Sequence, residues 1–167
     1  MKFEGTVHKY GDNINTDVII PARYCNTIDP VELARHCLED LDAEFVGKIK
    51  PGDILVGGFN FGCGSSREVA PISIKAAGIS CVIAKSFARI FYRNSVNIGL
   101  PIIEAPLFID EVSTGHQVAV DFNDGTIVNV TLGKTYTFSE GAGVIKDIIR
   151  GGGLVNYVRE KKRNENK

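Results

Sequence analysis

The chain is poor in what would mark many function classes. Its three histidines (His8, His36, His116) are scattered, with no HxxxH or HxH spacing, and its four cysteines (Cys25, Cys37, Cys63, Cys81) form no CxxC pair. A metal site built by this chain alone is therefore not expected, and the cysteines read as free thiols of a reducing compartment. No apolar run approaches the roughly 18 residues of a membrane span, and Met1-Lys2-Phe3-Glu4 does not open a signal peptide, so the expected location is cytoplasmic. Net charge is −1, and basic residues cluster only in Lys161-Lys162-Arg163, which argues against nucleic acid as a partner. GxxxxGK[ST], GxSxG and SxxK are all missing, which excludes a P-loop and weakens hydrolase readings.

What is present is an ordinary globular composition, 44% hydrophobic and 23% charged over 167 residues. That length suits a single domain, residues 1–167, with about 161–167 as a disordered tail. Phe3 to Val7 reads as a strand, Val18-Ile19-Ile20 as a brief strand ended by Pro21, and Asp29-Pro30-Val31-Glu32 as a helix start with a capping box. That helix would carry Leu33, Ala34, Cys37 and Leu38 on one face. Strand 54–56, helix 68–77, strand 81–84, helix 86–97 and strand 101–104 then alternate, which predicts right-handed crossovers and a parallel sheet segment. Residues 117–122 and 126–130 flank Asn123-Asp124-Gly125 as a hairpin, with a further strand at 135–138 and short helices at 142–149 and 154–160. The fold class is α/β, a mixed sheet with a parallel βαβ segment and a C-terminal hairpin.

The most informative stretch is Phe59-Asn60-Phe61-Gly62-Cys63-Gly64-Ser65-Ser66-Arg67-Glu68. Glycines, two hydroxyls and a guanidinium sit where a strand turns into a helix, a place whose free N–H groups favour a carboxylate or phosphate. It opens like GxGxxG, but Arg67 stands at the third glycine, so it is a poor dinucleotide fingerprint. A serine hydroxyl is a weak base and a weak nucleophile and needs a second activating group, which this chain does not evidently offer. The simplest inference is a half-site completed by another chain. Two alternatives stay open here: a capped helix start with an ion-paired arginine, and a reactive Cys63 thiolate.

Asn13-Ile14-Asn15-Thr16-Asp17-Val18-Ile19-Ile20-Pro21, Phe61 to Glu68, and Lys85-Ser86-Phe87-Ala88-Arg89-Ile90-Phe91 resemble, in order, the swivelling β/β/α domain of the aconitase family. The similarity covers nearly the whole chain and is strongest to free-standing small subunits of the isopropylmalate-dehydratase branch. It implies hydro-lyase chemistry in complex with a large iron–sulfur subunit, as a heterodimer or heterotetramer, and no cofactor on this chain. A [4Fe-4S] cluster is expected in the large subunit, and a homo-oligomer is possible for the isolated chain. By position, Ser65 matches the base that removes a carbon-bound proton, Ser66 and Arg67 match carboxylate-binding positions, and Asp17 matches an aspartate lining the site. Cys63 reads as a loop-packing residue.

Substrate choice is expected in Tyr24-Cys25-Asn26-Thr27, with Asn26 and Thr27 facing the acid. Related subunits place arginine at the Asn26 position when the substrate carries an extra carboxylate, and an apolar or small residue when it carries isopropyl. Asn26 disfavours homoaconitate or citrate and leaves isopropylmalate first, with citramalate or dimethylmalate next. A non-catalytic anion-binding module is the reading from another class.

Overall fold

Strand β1 (Lys2–Lys9) joins two differently built halves of one sheet. In the computed structural model, which describes residues 1–139 and 143–165, its first five residues pair antiparallel with β5 (Gln117–Asp121), from Lys2 opposite Asp121 to Thr6 opposite Gln117. Its last three pair parallel with β2 (Ile54–Val56), Val7 opposite Ile54. Gly5 lies just before the change of partner. A Cβ there would stand 2.4 Å from the Gly52 carbonyl oxygen, so the turn into β2 can approach only a glycine.

Parallel pairing continues from β2 to β3 (Cys81–Ala84) and β4 (Ile102–Glu104). Antiparallel pairing continues from β5 to β6 (Thr126–Asn129) and β7 (Lys134–Thr137). The seven-stranded order is β4-β3-β2-β1-β5-β6-β7. Every residue of β2 and β3 is buried, as strands covered on both faces require, whereas β6 alternates. The expected parallel segment and C-terminal hairpin are both there. Helices α4 (Val69–Ala76) and α5 (Arg89–Ile98) make the crossovers, and Gly99, at φ +70, ends α5. Among the described residues no helix is long and apolar enough to cross a membrane.

Several local expectations give way. Val18-Ile19-Ile20 is not a strand: Thr16–Ile19 form a single helical turn, α1. The Asn15 side chain caps it by accepting the Val18 N–H at 3.0 Å, and that cap, with Ile19 and Ile20 fully buried, outweighs the β-preference of three branched residues. Asp29 caps α2 (Pro30–Arg35) through the Val31 N–H, but the box with Glu32 does not form, because the Asp29 N–H goes to Thr27 Oγ1 at 3.1 Å. Since α2 stops at Arg35, Cys37 and Leu38 are buried in the turns beyond it, not on its face. The α5 helix starts at Arg89, later than the sequence suggests, because Ser86 to Ala88 run alongside Phe61.

Short helices α3 (Phe45–Lys48) and α6 (Pro106–Glu111) fill the sheet's flanks. At the C-terminus α7 (Gly143–Arg150) matches the expected short helix, whose first residue, Ala142, lies outside the described residues. The last helix, α8 (Leu154–Glu165), continues through the stretch expected to be a disordered tail; residues 166–167 lie outside the described residues.

A buried carboxylate fastens β1 to the turn before β2. Asp53 accepts the N–H groups of Thr6 and Lys50, each at 3.0 Å, and meets His8 Nε2 at 2.8 Å. Burial alone would push this carboxyl up, but the Lys50 N–H, the His8 ring and the Thr6 N–H outweigh it and hold it below the usual value. A depressed carboxyl stabilises the fold above its unfolded value of about 3.9 and loses that contribution as pH falls through the lower folded value. The wild-type melting temperature should thus drop steeply on acidification below about pH 4. Asp53→Asn should be about 2 kcal/mol less stable at neutral pH and show a shallower acid limb in thermal unfolding.

Candidate active site

Loops leaving the carboxyl ends of the parallel strands β1, β2 and β3 converge, where open α/β sheets place ligands. The β2 loop is zipped between the other two. On the β1 side, Gly58 N–H donates to Gly11 O at 2.9 Å, Asn13 N–H to Phe59 O at 2.8 Å, Gly62 N–H to Ile14 O at 2.7 Å and Thr16 N–H to Cys63 O at 2.8 Å. On the β3 side, Lys85 N–H donates to Gly58 O at 3.1 Å, Phe61 N–H to Ser86 O at 3.0 Å and Ala88 N–H to Phe61 O at 2.9 Å. Asp12 Oδ1 accepts the Phe59 N–H at 2.7 Å and Ser86 Oγ accepts the Asn60 N–H at 2.9 Å. The three stretches singled out in the sequence are one spatial unit.

Beneath them Phe61 and Phe91, each 1% exposed, meet edge to face at 5.3 Å. Gly62 lies directly on Phe91 with φ +80, and Gly64 follows at φ +94. The zipper ends at Cys63. From Gly64 to Ser66 the loop is exposed, and no N–H from Gly64 to Glu68 donates to another described residue. The hydroxyls of Ser65 and Ser66 make no hydrogen bond with a described residue either. Yet the Ser65 backbone is held, because Thr16 Oγ1 donates to its carbonyl at 2.9 Å.

Arg67 is the second anchor. Its side chain is only 17% exposed; Nη1 donates to Ile20 O at 2.9 Å and Nη2 pairs with Asp17 Oδ1. Four of the six residues expected to matter, Ser65, Ser66, Arg67 and Asp17, are thus assembled together. The arginine is not a free fork awaiting an anion: part of it clamps the serine loop to α1. Four concavities of about 370–470 Å³ on the surface include none of these four residues in their linings. The serine stands on an open face.

Asn26 and Thr27 follow a 3-10 turn at Ala22–Tyr24, six and seven residues beyond the Ile20 that Arg67 grips. The turn is braced from behind. The Tyr24 ring stacks on His36 at 3.6 Å, and Arg23 bonds Asp40 Oδ1 at 2.6 Å and Oδ2 at 3.0 Å. Glu39 bonds Arg23, the Tyr24 hydroxyl and His36 Nδ1 at 2.7, 2.8 and 2.6 Å. Burial would raise the Glu39 carboxyl, but these three partners outweigh it and bring it down to about 2. Asn26 is exposed with no side-chain hydrogen bond to a described residue, and Thr27 accepts from the Asp29 N–H. Neither bonds to the serine loop.

The sequence model of the Aconitase C-terminal domain matches residues 3–107, well over half of the chain. The chain belongs to that family. Its relatives include the 3-isopropylmalate dehydratase small subunit of Caldanaerobacter subterraneus subsp. tengcongensis, 62% identical over 96% of this chain and 99% of that one. The 2,3-dimethylmalate dehydratase small subunit of Eubacterium barkeri is 58% identical over 95% and 97%. The solved 3-isopropylmalate dehydratase of Methanocaldococcus jannaschii superposes with a TM-score of 0.95 at 48% identity, covering 99% and 98% of the two chains.

Among the described residues no three His, Cys, Asp or Glu side chains are grouped to hold a metal ion. Cys37 and Cys81 are fully buried, and burial pushes their thiols up to about 12, which makes them inert packing residues in the free chain. Cys63 is half-buried and lends its carbonyl to Thr16, a packing and pairing role. Sequence reasoning missed Thr16, the Asn15 cap and the Asp12 and Ser86 contacts. All four lie inside or next to the motifs quoted, and short polar side chains beside glycine loops are the residues that bond locally to backbone.

Proposed function

We infer that this chain is the small subunit of a 3-isopropylmalate dehydratase. This cytoplasmic hydro-lyase interconverts 2-isopropylmalate and 3-isopropylmalate in leucine biosynthesis by removing and re-adding water. Near-complete coverage at about 60% identity by dehydratase small subunits supports this reading. The observation that carries the chemistry is Ser65, whose hydroxyl is exposed and bonded to no described residue although its backbone is pinned. A free hydroxyl on a fixed backbone suits a base that must meet one carbon-bound hydrogen in one place.

In the proposed cycle Ser65, as its alkoxide, takes the proton from carbon while the neighbouring hydroxyl departs as water, its extra proton supplied by an acid assigned to the large subunit, which leaves the unsaturated acid and a neutral serine. Returning the proton and the hydroxyl to exchanged carbons gives the isomer. Ser66 and the outer N–H groups of Arg67 bind a substrate carboxylate, and Asp17 holds Arg67 in place. Activation of the departing hydroxyl is assigned to the large subunit, where a [4Fe-4S] cluster would supply Lewis acidity. The described side chains of this chain do not fit the cluster, so only the proton and carboxylate chemistry is drawn from them.

The second reading is a dimethylmalate-type dehydratase, favoured by the 58% identical relative of that name. A substrate panel on the complex reconstituted with a large subunit decides between them. Isopropylmalate is expected to have the highest kcat/KM, and a complex that prefers 2,3-dimethylmalate supports the second reading. On the same panel, Asn26→Arg should shift the kcat/KM ratio at least about tenfold toward homocitrate, because a bidentate pair with the added carboxylate is worth more than the about 1.4 kcal/mol a tenfold change needs. An unchanged ratio would remove Asn26 from substrate choice.

A further inference from the structure

The zipper that carries the serine loop stops two residues short of the serine, and past it one side chain holds the backbone from within. Thr16 is 2% exposed. Its N–H holds Cys63 O at 2.8 Å, its carbonyl accepts the Ile20 N–H at 3.0 Å, and its hydroxyl donates to Ser65 O at 2.9 Å. No cis peptide occurs among the described residues. In a trans peptide the carbonyl and the following N–H point in opposite directions. With the Ser65 carbonyl drawn inward to buried Thr16, the Ser66 N–H is turned outward to the open face, where it meets no acceptor among the described residues.

We propose that Thr16 is a positioning residue: its hydroxyl locks the Ser65–Ser66 peptide so that the Ser66 N–H faces the bound acid. A flip of this peptide would put a carbonyl dipole of the wrong sign beside a carboxylate and a serine alkoxide. Little else resists the flip. Ser65 and Ser66 are exposed, and the preceding residue is Gly64, which has no Cβ to hinder rotation and already sits at φ +94. The proposal rests on the reading of Ser65 as the base.

The test uses the complex reconstituted with an iron–sulfur large subunit and isopropylmalate. Thr16→Val keeps the shape and removes the O–H, whereas Thr16→Ser keeps the O–H. Thr16→Val should lose about 10- to 100-fold in kcat/KM, somewhat less than outright removal of a donor, because the freed peptide still visits the productive orientation. Thr16→Ser should stay within about threefold of wild type, with both melting temperatures close to the parent. Wild-type kcat/KM in Thr16→Val overturns the proposal, as does a Thr16→Ser enzyme impaired as severely as Thr16→Val. If Thr16→Val does not fold, Thr16→Ala is compared with Thr16→Ser by the same criteria. Ser65→Ala run in parallel separates the two claims. An inactive Ser65→Ala beside an unimpaired Thr16→Val removes only the positioning role, whereas a fully active Ser65→Ala removes the reading beneath it.

Discussion

Ser65→Ala is expected to lower kcat of the reconstituted complex about a thousandfold, the middle of the range for losing a positioned general base. KM should change little, because the carboxylate contacts proposed for Ser66 and Arg67 remain. The fold should be untouched: the Ser65 side chain is exposed and makes no hydrogen bond with a described residue, while the Thr16 hydroxyl grips its carbonyl and not its Oγ. Steady-state kinetics with a melting curve on the same preparation checks both halves. Near-normal turnover would leave the glycine–serine loop as an anion seat without a proton-transfer role.

Gly62→Ala should produce the largest loss of stability of any single methyl added to this loop. A Cβ at Gly62 would stand 2.1 Å from Phe91 Cγ and 2.3 Å from its Cβ, and Phe91 is 1% exposed with no room to retreat. The backbone there has φ +80, which costs a non-glycine residue about 1–2 kcal/mol, and overpacking adds typically 1–3 kcal/mol. A drop of roughly 10 °C in melting temperature follows for a chain of this size. Because Gly62 N–H also holds Ile14 O, the displaced loop should carry Ser65 out of place, so activity should fall even at temperatures where the variant is folded. Gly11→Ala is the control: an added Cβ meets nothing within 4 Å, and its melting temperature should match the parent.

The sheet's parallel half was legible because β2 and β3 are short apolar runs bounded by glycine turns, and the hairpin because 117–122 and 126–130 alternate around Asn-Asp-Gly. The double pairing of β1 was not legible. It depends on register against partners about 50 and 115 residues away, and nothing local in Lys2–Lys9 marks the change between Thr6 and Val7 except the nearby Gly5. The α1 turn was misread because three branched residues suggest a strand, while one Asn15 side chain and burial decide otherwise. At the site, residue types told which side chains belong together. They could not tell that Arg67 spends one nitrogen on Ile20 O and another on Asp17, since that depends on the path of the chain after α1. Thr16 escaped notice for the same reason, being the inward neighbour of the more conspicuous Asp17.

Isopropylmalate interconversion should be measured anaerobically for this chain alone, for an iron–sulfur large subunit alone and for the two combined. An open face with a pinned serine, outside every concavity described and without a second activating group among the described residues, predicts turnover only in the combined sample. Turnover by the isolated chain at the rate of the complex would contradict the half-site account.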